Sequence, residues 1–431
     1  MKSIFQKISS KFIELSLFKF VCFILSITFK LIMKFLLRLL IFPLNLILYL
    51  IYPFVKVRFG MIHNDVFGHY LFDTEFYLRK KKLTKEKTYD LFFLSSNFEI
   101  NIFWDKVIKR NFKINSIFEL FFLNSNLFFG SKNSFKLNES TARDAEDIFY
   151  RTKTQLNFTK EEIDNGISFL KSIGLKENQK FVCVLNRDPF YKKNFVDQYY
   201  KNRNWDYHNY RNSDIDTYIP AIEFLLKKNY FVLRVGKGVS KKLEINHENF
   251  LDYSSSNLRN DFLDIFLMSN SYFNLVSESG LLIVSLLYNV PMCFVNMGSI
   301  KGTQVWHEKQ ITIYKKIWSN EKKNFLSLKE IKYLSDPNNY KNKKLIRDQN
   351  SIYFWEDREK YSFYNNTPQE ILDVTIEAEN IILNNTWKTR NKSKLEMDFW
   401  RNFLYDKIFH GPKIRSSIGN QFLEDNKYLL D

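Results

Sequence analysis

Cysteine, glycine and proline are scarce in this chain of 431 residues, numbering 3, 12 and 8. Cys22, Cys183 and Cys293 stand far apart in apolar runs, which excludes a disulfide framework and a zinc-finger pattern and points to a reducing compartment. So little glycine and proline excludes collagen-like repeats and long flexible linkers. GxxxxGK[ST] and GxGxxG are both missing, so neither a P-loop NTPase nor an ordinary dinucleotide dehydrogenase is supported. No RNA-binding aromatic signature occurs either, and nucleic acid is not an expected partner. Acidic residues are almost absent from the start of the chain. Over residues 1–60, Glu14 alone faces nine Lys and Arg, a surplus of eight in a chain whose net charge is +17.

What the chain does contain is a folded composition, 45% hydrophobic and 26% charged, with 44 Phe. Its length suits two domains and an appendage. The basic surplus lies on the most apolar segment, which favours an anionic membrane surface as its partner. Lys19, Lys30, Lys34 and Arg38 interrupt residues 17–55 at steps of 11, 4 and 4. On a helix these steps keep all four within a stripe about 100° wide. The pattern predicts a helix lying in a membrane interface, its cations reaching lipid phosphates. The uncharged run from Leu39 to Val55 holds Pro43, Asn45 and Pro53 and falls short of the roughly 20 residues a span needs, so crossing is the second choice. A buried helix pair is the third. No small-residue cleavage site follows, so a cleaved signal peptide is not expected.

Residues 1–56 are therefore read as the membrane-associating segment. VRFGMIHNDVFGHYLFDTEFYLRKKK then reads as strand, glycine loop and helix, and YDLFFLSS as the next strand; residues 57–175 form the first lobe. The polar stretch near 130–155 predicts an irregular connection. TKEEIDNGISFLKSIGL predicts a helix capped by Thr159 and Glu162 and closed by Gly174. In residues 176–330 strands alternate with helices: FVCVLNRD, DIDTYIPAIEFLLKKN, YFVLRVGKG, NFLDYSSS, DFLDIFLMSN, YFNLVSESG, LLIVSLLYNV and PMCFVNMG. That alternation predicts a parallel sheet covered on both faces. Residues 331–431 are read as a helical region packing back on the lobes.

The polar and glycine groups follow the strands: Arg187 and Asp188, Gly236 and Gly238, Ser277 to Gly280, and Asn296. In an open α/β sheet such tips converge on a crevice where ligands bind. Arg187 can fork onto a diphosphate or make an interdomain salt bridge. Asp188 is its orienting partner or, second, a general base. Asp214 and Asp216 form a D-x-D that can hold a divalent metal, although capping of the helix they open is favoured. Arg211, just before that helix, can address the same anion as its N–H groups. Ser277 and Ser279 can bond a phosphate or sugar beside the bulk-free Gly280, and Glu278 can bind ribose or act as a base. His69, in the glycine loop beside Gly68, is a possible base or a structural histidine. Arg187, Asp188, Arg211 and His69 are the catalytic candidates. Gly68, Tyr191, Asn212, Asp214, Gly236, Ser277, Glu278, Ser279, Gly280 and Asn296 are the substrate-contact candidates, and no metal ligand is assigned.

From Val57 almost to the end, the chain resembles a family of bacterial glycosyltransferases from gene clusters for surface polysaccharides. The matching pieces are VRFG, FGHY and DTEFYLR; FVCVLNRDPFY; YRNSDIDTYIPAIEFLLKKNYFVLRVG; DYSSSNLRNDFLDIFL; SESG; YKKIW with FLSLKEI; NTPQEIL; and DFW with HGPKIRSSIGNQFL. The resemblance implies an α/β, GT-B-like architecture of two Rossmann-like lobes facing a cleft, with the nucleotide sugar mainly on the second, the acceptor mainly on the first, and no obligatory metal or cofactor. The strand ending in Arg187–Asp188 is also remotely similar to the donor lobe of GDP-fucose-dependent fucosyltransferases. Those often carry a His where this chain has Leu185, and Glu278 replaces the family's usual small residue.

The expected activity is metal-independent transfer of a hexosyl or deoxyhexosyl group from a nucleotide-diphosphate donor to a lipid-linked or growing saccharide. The expected place is the cytoplasmic face of the inner membrane, with peripheral or monotopic attachment. A nucleotide-sugar epimerase of the same architecture and a non-catalytic scaffold of a polysaccharide-assembly complex are the alternatives. The proposal turns on Arg187, Arg211 and Ser279 gathering around one pyrophosphate-sized hollow.

Overall fold

The structure is a computed structural model that describes residues 17–130, 133–137, 143–196, 206–298, 304–334, 360–403 and 413–431. Lys2, Lys7, Lys11, Glu14 and part of the HGPKIRSSIG motif lie outside the described residues, as does the Lys19 side chain. In chain order the elements used below are α1 (Leu17–Leu50), β1 (Val57–Ile62), α2 (Phe67–Thr84), β2 (Tyr89–Leu94), α3 (Ile102–Asn111), α4 (Phe118–Phe128), β3 (Ser134–Lys136), α5 (Lys160–Ser172) and β4 (Phe181–Leu185). They continue with α6 (Ile219–Lys227), β5 (Phe231–Arg234), β6 (Phe250–Leu251), α7 (Asp261–Asn270), β7 (Phe273–Val276), α8 (Ile283–Leu287), β8 (Met292–Met297), β9 (Gln310–Tyr314), β10 (Lys316–Ser319), β11 (Asn324–Phe325), β12 (Tyr361–Tyr364), α9 (Pro368–Leu383) and β13 (Ser417–Ile418). Two compact units interleave along the chain. One takes Met1–His63, Glu86–Asn97 and Phe112–Leu137; the other takes Asn64–Lys85, Phe98–Asn111 and Asn138–Asp431.

The smaller unit is built on a parallel sheet of order β2-β1-β3. β3 falls inside the stretch expected to be irregular; three residues are too few to show a two-residue period. At Gly60 a Cβ would come within 2.4 Å of the Phe92 ring, so the ring packs directly over the strand backbone. α4 lies on this sheet through Phe121 stacked on Phe59 at 4.9 Å and Phe122 edge-on to Phe93 at 5.2 Å.

α1 in turn lies on α4, and its polar stripe is partly what docks it. Asn45, fully buried, donates to the Phe121 carbonyl at 2.6 Å, while Asn124 donates to the Arg38 carbonyl at 3.0 Å. Lys34 is 3.6 Å from Glu119, and the Nε of Arg38 is buried. Lys34 therefore has a carboxylate of α4 within reach while about half of its side chain stays exposed, and Arg38 meets α4 through its backbone carbonyl. The opposite side of α1 is bare: Leu25, Phe29, Leu36, Leu40, Leu44 and Leu50 are all exposed.

The larger unit carries a seven-stranded, wholly parallel sheet of order β13-β9-β8-β7-β4-β5-β6. β4, β5 and β7 are buried at every position, as strands covered on both faces must be. The chain runs from β4 outward through β5 to β6, returns to the far side of β4 as β7, and continues outward through β8 and β9. This is the doubly wound order, and its topological switch lies between the carboxyl ends of β4 and β7. Around the sheet, α5 starts on the expected capping box of Thr159 and Glu162, and Gly174 follows it at φ +97°. A three-stranded antiparallel sheet, β11-β10-β12, follows β9. Cys183 and Cys293 are buried free thiols whose pKa burial raises.

Candidate active site

The site grows from the ends of β4 and β7, which lie side by side with Leu185 opposite Val276. Ser277 locks the two tips together: its N–H donates to the Leu185 carbonyl at 2.8 Å, and its Oγ accepts the Arg187 N–H at 2.7 Å. Behind it a buried polar chain runs inward. Ser213 Oγ lies 3.5 Å from Ser277 Oγ and 3.0 Å from the Tyr218 hydroxyl, which accepts from Asn296 at 3.2 Å. Asn296, in the left-handed region at φ 55°, exchanges two bonds with Asn366 at 2.6 and 2.7 Å. Buried polar groups held this completely fix the tips in place.

Both guanidiniums turn toward Glu278. Arg187 places NH1 3.5 Å and Arg211 places NH2 3.3 Å from the Glu278 carbonyl, and Arg211 Nε is 2.8 Å from Glu278 Oε1. The other carboxylate oxygen lies 3.4 Å from the Gly298 N–H, at the end of β8. Arg187 Nε donates to Asn212 Oδ1 at 3.2 Å. A third cation completes the cluster: Lys315, at the end of β9, is buried and donates to the Asn212 carbonyl. Burial pulls its pKa down to about 8; Glu278 pulls it up and Arg187 adds to the lowering. Arg211 thus pairs with the Glu278 carboxylate, Arg187 reaches the Glu278 backbone carbonyl, and Arg187 and Lys315 both bond Asn212, so three cations gather at the carboxyl edge of the sheet, an arrangement suited to an anion of more than one charge.

Gly68, at the start of α2, meets the Ser277–Gly280 turn backbone to backbone. A Cβ on Gly68 would be 3.2 Å from Gly280 Cα, and a Cβ on Gly280 would be 3.1 Å from Gly68 N. His69 follows directly, partly exposed, with Nδ1 3.7 Å from the Asp73 carboxylate one turn on. Ser279 precedes the turn that leads into α8, and its side chain makes no capping bond there.

Other candidates have structural partners. Asp188 accepts from Phe190 N–H and from the N–H and Oγ of Ser240, each at 2.7 Å, so it clasps the loop after β5 and does not orient Arg187. Asp214 accepts from the Asp216 N–H at 3.1 Å as a cap, and Asp216 pairs with Lys241; the D-x-D is taken up by capping, as its position favours. Asn296 is buried behind the tips. Gly236 sits at φ +133° after β5, and Tyr191 stacks on Phe195 at 5.7 Å. Lys315, Ser213, Tyr218 and Asn366 were not singled out by sequence. Lys315 obeys the same strand-tip rule as Arg187, applied at β9, three strands along the sheet from β4.

No family model matches the chain, and no curated protein matches it. Among solved structures, a glycosyl transferase family 9 protein from Veillonella parvula aligns over 77% of this chain and 98% of its own, at 10% identity and a TM-score of 0.44. The iron-containing dodecameric heptosyltransferase TibC, solved in complex with ADP-D-β-D-heptose, aligns over 77% of this chain and 76% of its own, at 10% identity and a TM-score of 0.31. TibC from enterotoxigenic E. coli, in a second structure, gives 77% of each chain, 10% identity and a TM-score of 0.31.

Proposed function

We propose that this chain is a glycosyltransferase of GT-B type, which moves a sugar from a nucleotide-diphosphate donor to a lipid-linked or growing surface saccharide. The observation that carries this reading is the gathering of Arg187, Arg211 and Lys315 about Glu278 and Asn212 at the carboxyl edge of the sheet, beside the switch between β4 and β7. Open α/β sheets bind ligands at that point. In direct displacement at the anomeric carbon, negative charge builds on the leaving diphosphate, and preorganised cations stabilise it there. The diphosphate would take Arg211 from Glu278, leaving that carboxylate or His69 to accept the proton of the acceptor hydroxyl. Because Asp214 caps and Asp216 holds Lys241, transfer is read as needing no metal from the D-x-D.

The attachment we propose is monotopic, at the cytoplasmic face of the inner membrane. Val21–Leu50 has a mean hydropathy of 2.1 and is 11% buried. Asn45 and the Arg38 carbonyl meet α4 while Lys30, Lys34 and most apolar side chains of the helix stay exposed, and we read this basic, apolar helix as lying along an anionic membrane.

Thermal unfolding of the full chain with a panel of nucleotide sugars tests the transferase. A donor that binds only the folded form raises the melting temperature. The proposal requires a rise with at least one nucleotide-diphosphate sugar, lost in Arg187→Ala. Polysaccharide output unchanged by Arg187→Ala would leave a scaffold instead.

A further inference from the structure

The first turns of α2 set a buried carboxylate behind His69. Residues four apart on a helix lie one above the other, and Asp73 places Oδ2 3.7 Å from His69 Nδ1. The two faces of the imidazole differ in burial. Asp73 is 3% exposed, and both Nδ1 and Oδ2 are shut away from solvent. The His69 side chain as a whole is still 32% exposed, so its open part is the rest of the ring, which carries Nε2. Among the described residues no hydrogen bond competes for Nδ1.

This ring stands beside the carboxyl-edge cluster. Gly68, one residue back, meets Gly280 backbone to backbone, so the helix turn that carries His69 abuts the turn that carries Glu278. All of these residues belong to the larger unit.

We propose that Asp73 is a positioning residue, which draws the neutral His69 ring into the tautomer with hydrogen on Nδ1 and so leaves the Nε2 lone pair on the open side to receive the proton of an acceptor hydroxyl. A neutral imidazole carries one hydrogen, and the bond made by one nitrogen fixes what the other can do. An ionised carboxylate accepts and never donates, so it selects Nδ1–H. The gap exceeds a hydrogen bond, but bonds of this kind are often long before substrates bind and tighten in the reacting complex. In the step itself the hydroxyl oxygen bonds the anomeric carbon, the bond from that carbon to the diphosphate breaks with its electron pair leaving on the diphosphate, and the hydroxyl proton passes to Nε2. Asp73 stays ionised and stabilises the imidazolium. This chemical step rests on the transferase reading above; the tautomer does not.

Nitrogen-15 NMR of the histidine-labelled full chain at about pH 8.5, where an imidazole is ordinarily neutral, tests the tautomer without any substrate. His69→Gln identifies the His69 signals. The wild type is expected to show hydrogen on Nδ1 and a pyridine-type Nε2. Asp73→Leu, which is close in shape and offers no acceptor, is expected to move the hydrogen to Nε2. With the donor found in the thermal panel it should also cut kcat by about 10²–10⁴ while leaving the donor KM within twofold. Hydrogen on Nε2 in the wild type overturns the proposal whether or not the variant folds, as does a tautomer unchanged in Asp73→Leu. A switched tautomer with kcat unchanged overturns it too, by placing the base elsewhere. A panel in which no nucleotide sugar raises the melting temperature removes the proton step together with the transferase reading, and the wild-type tautomer still decides the pairing.

Discussion

Arg211 meets Glu278 twice, through Nε to the carboxylate at 2.8 Å and through NH2 to the carbonyl at 3.3 Å. Without a ligand, the carboxylate therefore stands where an anion would bind, and a diphosphate must displace it. Glu278→Gln removes that competition and keeps the shape. Calorimetry with inorganic pyrophosphate and nucleoside diphosphates should show affinity rising about tenfold, roughly 1.4 kcal/mol. If Glu278 also receives the acceptor proton, turnover falls in the same variant while binding improves. Unchanged affinity would mean that Arg211 is not the diphosphate's partner.

Lys315 gives the site a pH dependence. With its pKa lowered to about 8 from 10.5, the folded protein carries this cation fully only below that value. Diphosphate affinity should fall as pH rises through 8, and Lys315→Met should flatten the profile. Stability moves the other way. Between about 8 and 10.5 the unfolded chain holds a proton that the folded chain has lost, so wild-type stability should gain on that of Lys315→Met across this window. Chemical denaturation of both proteins at several pH values reads the difference.

The contact of Gly68 with Gly280 leaves no room for a methyl group. Gly280→Ala would put Cβ 3.1 Å from a backbone nitrogen that cannot swing aside. The expected loss is about 1–3 kcal/mol of stability, measured by urea denaturation, with donor affinity falling as the Ser277–Gly280 turn shifts. Gly174→Ala, at φ +97° with nothing within 4 Å of its Cβ, separates backbone strain from this crowding.

His69 lies one residue from that contact. If it is the base, His69→Gln should cut turnover by about 10²–10⁴ while leaving donor affinity within twofold. Equal losses in both would make it a positioning residue for the turn.

Much of this was legible because parallel strands announce themselves. FVCVL, FVLR and FNLV are continuous apolar runs, and a ligand site in such a sheet must lie at their carboxyl tips, which is how Arg187 and the Ser277–Gly280 turn were found. Side-chain partners were not legible. Asp188 and Arg187 are adjacent in sequence, yet Asp188 bonds across to Ser240, 52 residues away. Asn366 reaches Asn296 over 70 residues, and no local pattern encodes such a pairing. The stripe on α1 was read correctly as a stripe. The direction in which α1 meets α4 was not legible, because Asn124 reaches the Arg38 carbonyl across 86 residues and Asn45 the Phe121 carbonyl across 76.

That direction decides how the chain should bind lipid. A helix crossing a bilayer is surrounded by acyl chains, but α1 buries Asn45 against α4 and keeps Leu40 74% and Leu44 55% exposed. Each leucine is worth about 1.5–3 kcal/mol when it leaves water. Leu40→Glu with Leu44→Glu should therefore weaken binding to vesicles on the order of a hundredfold, as measured by flotation of the full chain. Asn45→Ala acts on the other side. It takes a donor from the buried Phe121 carbonyl and should lower the stability of the smaller unit by about 1–3 kcal/mol, with no direct loss of lipid contact. Raising salt should weaken binding only modestly, because insertion of leucine and phenylalanine is unscreened whereas attraction to headgroups is. If high salt released the protein entirely while the two glutamates changed nothing, the attachment would be electrostatic and the exposed face of α1 would need another partner.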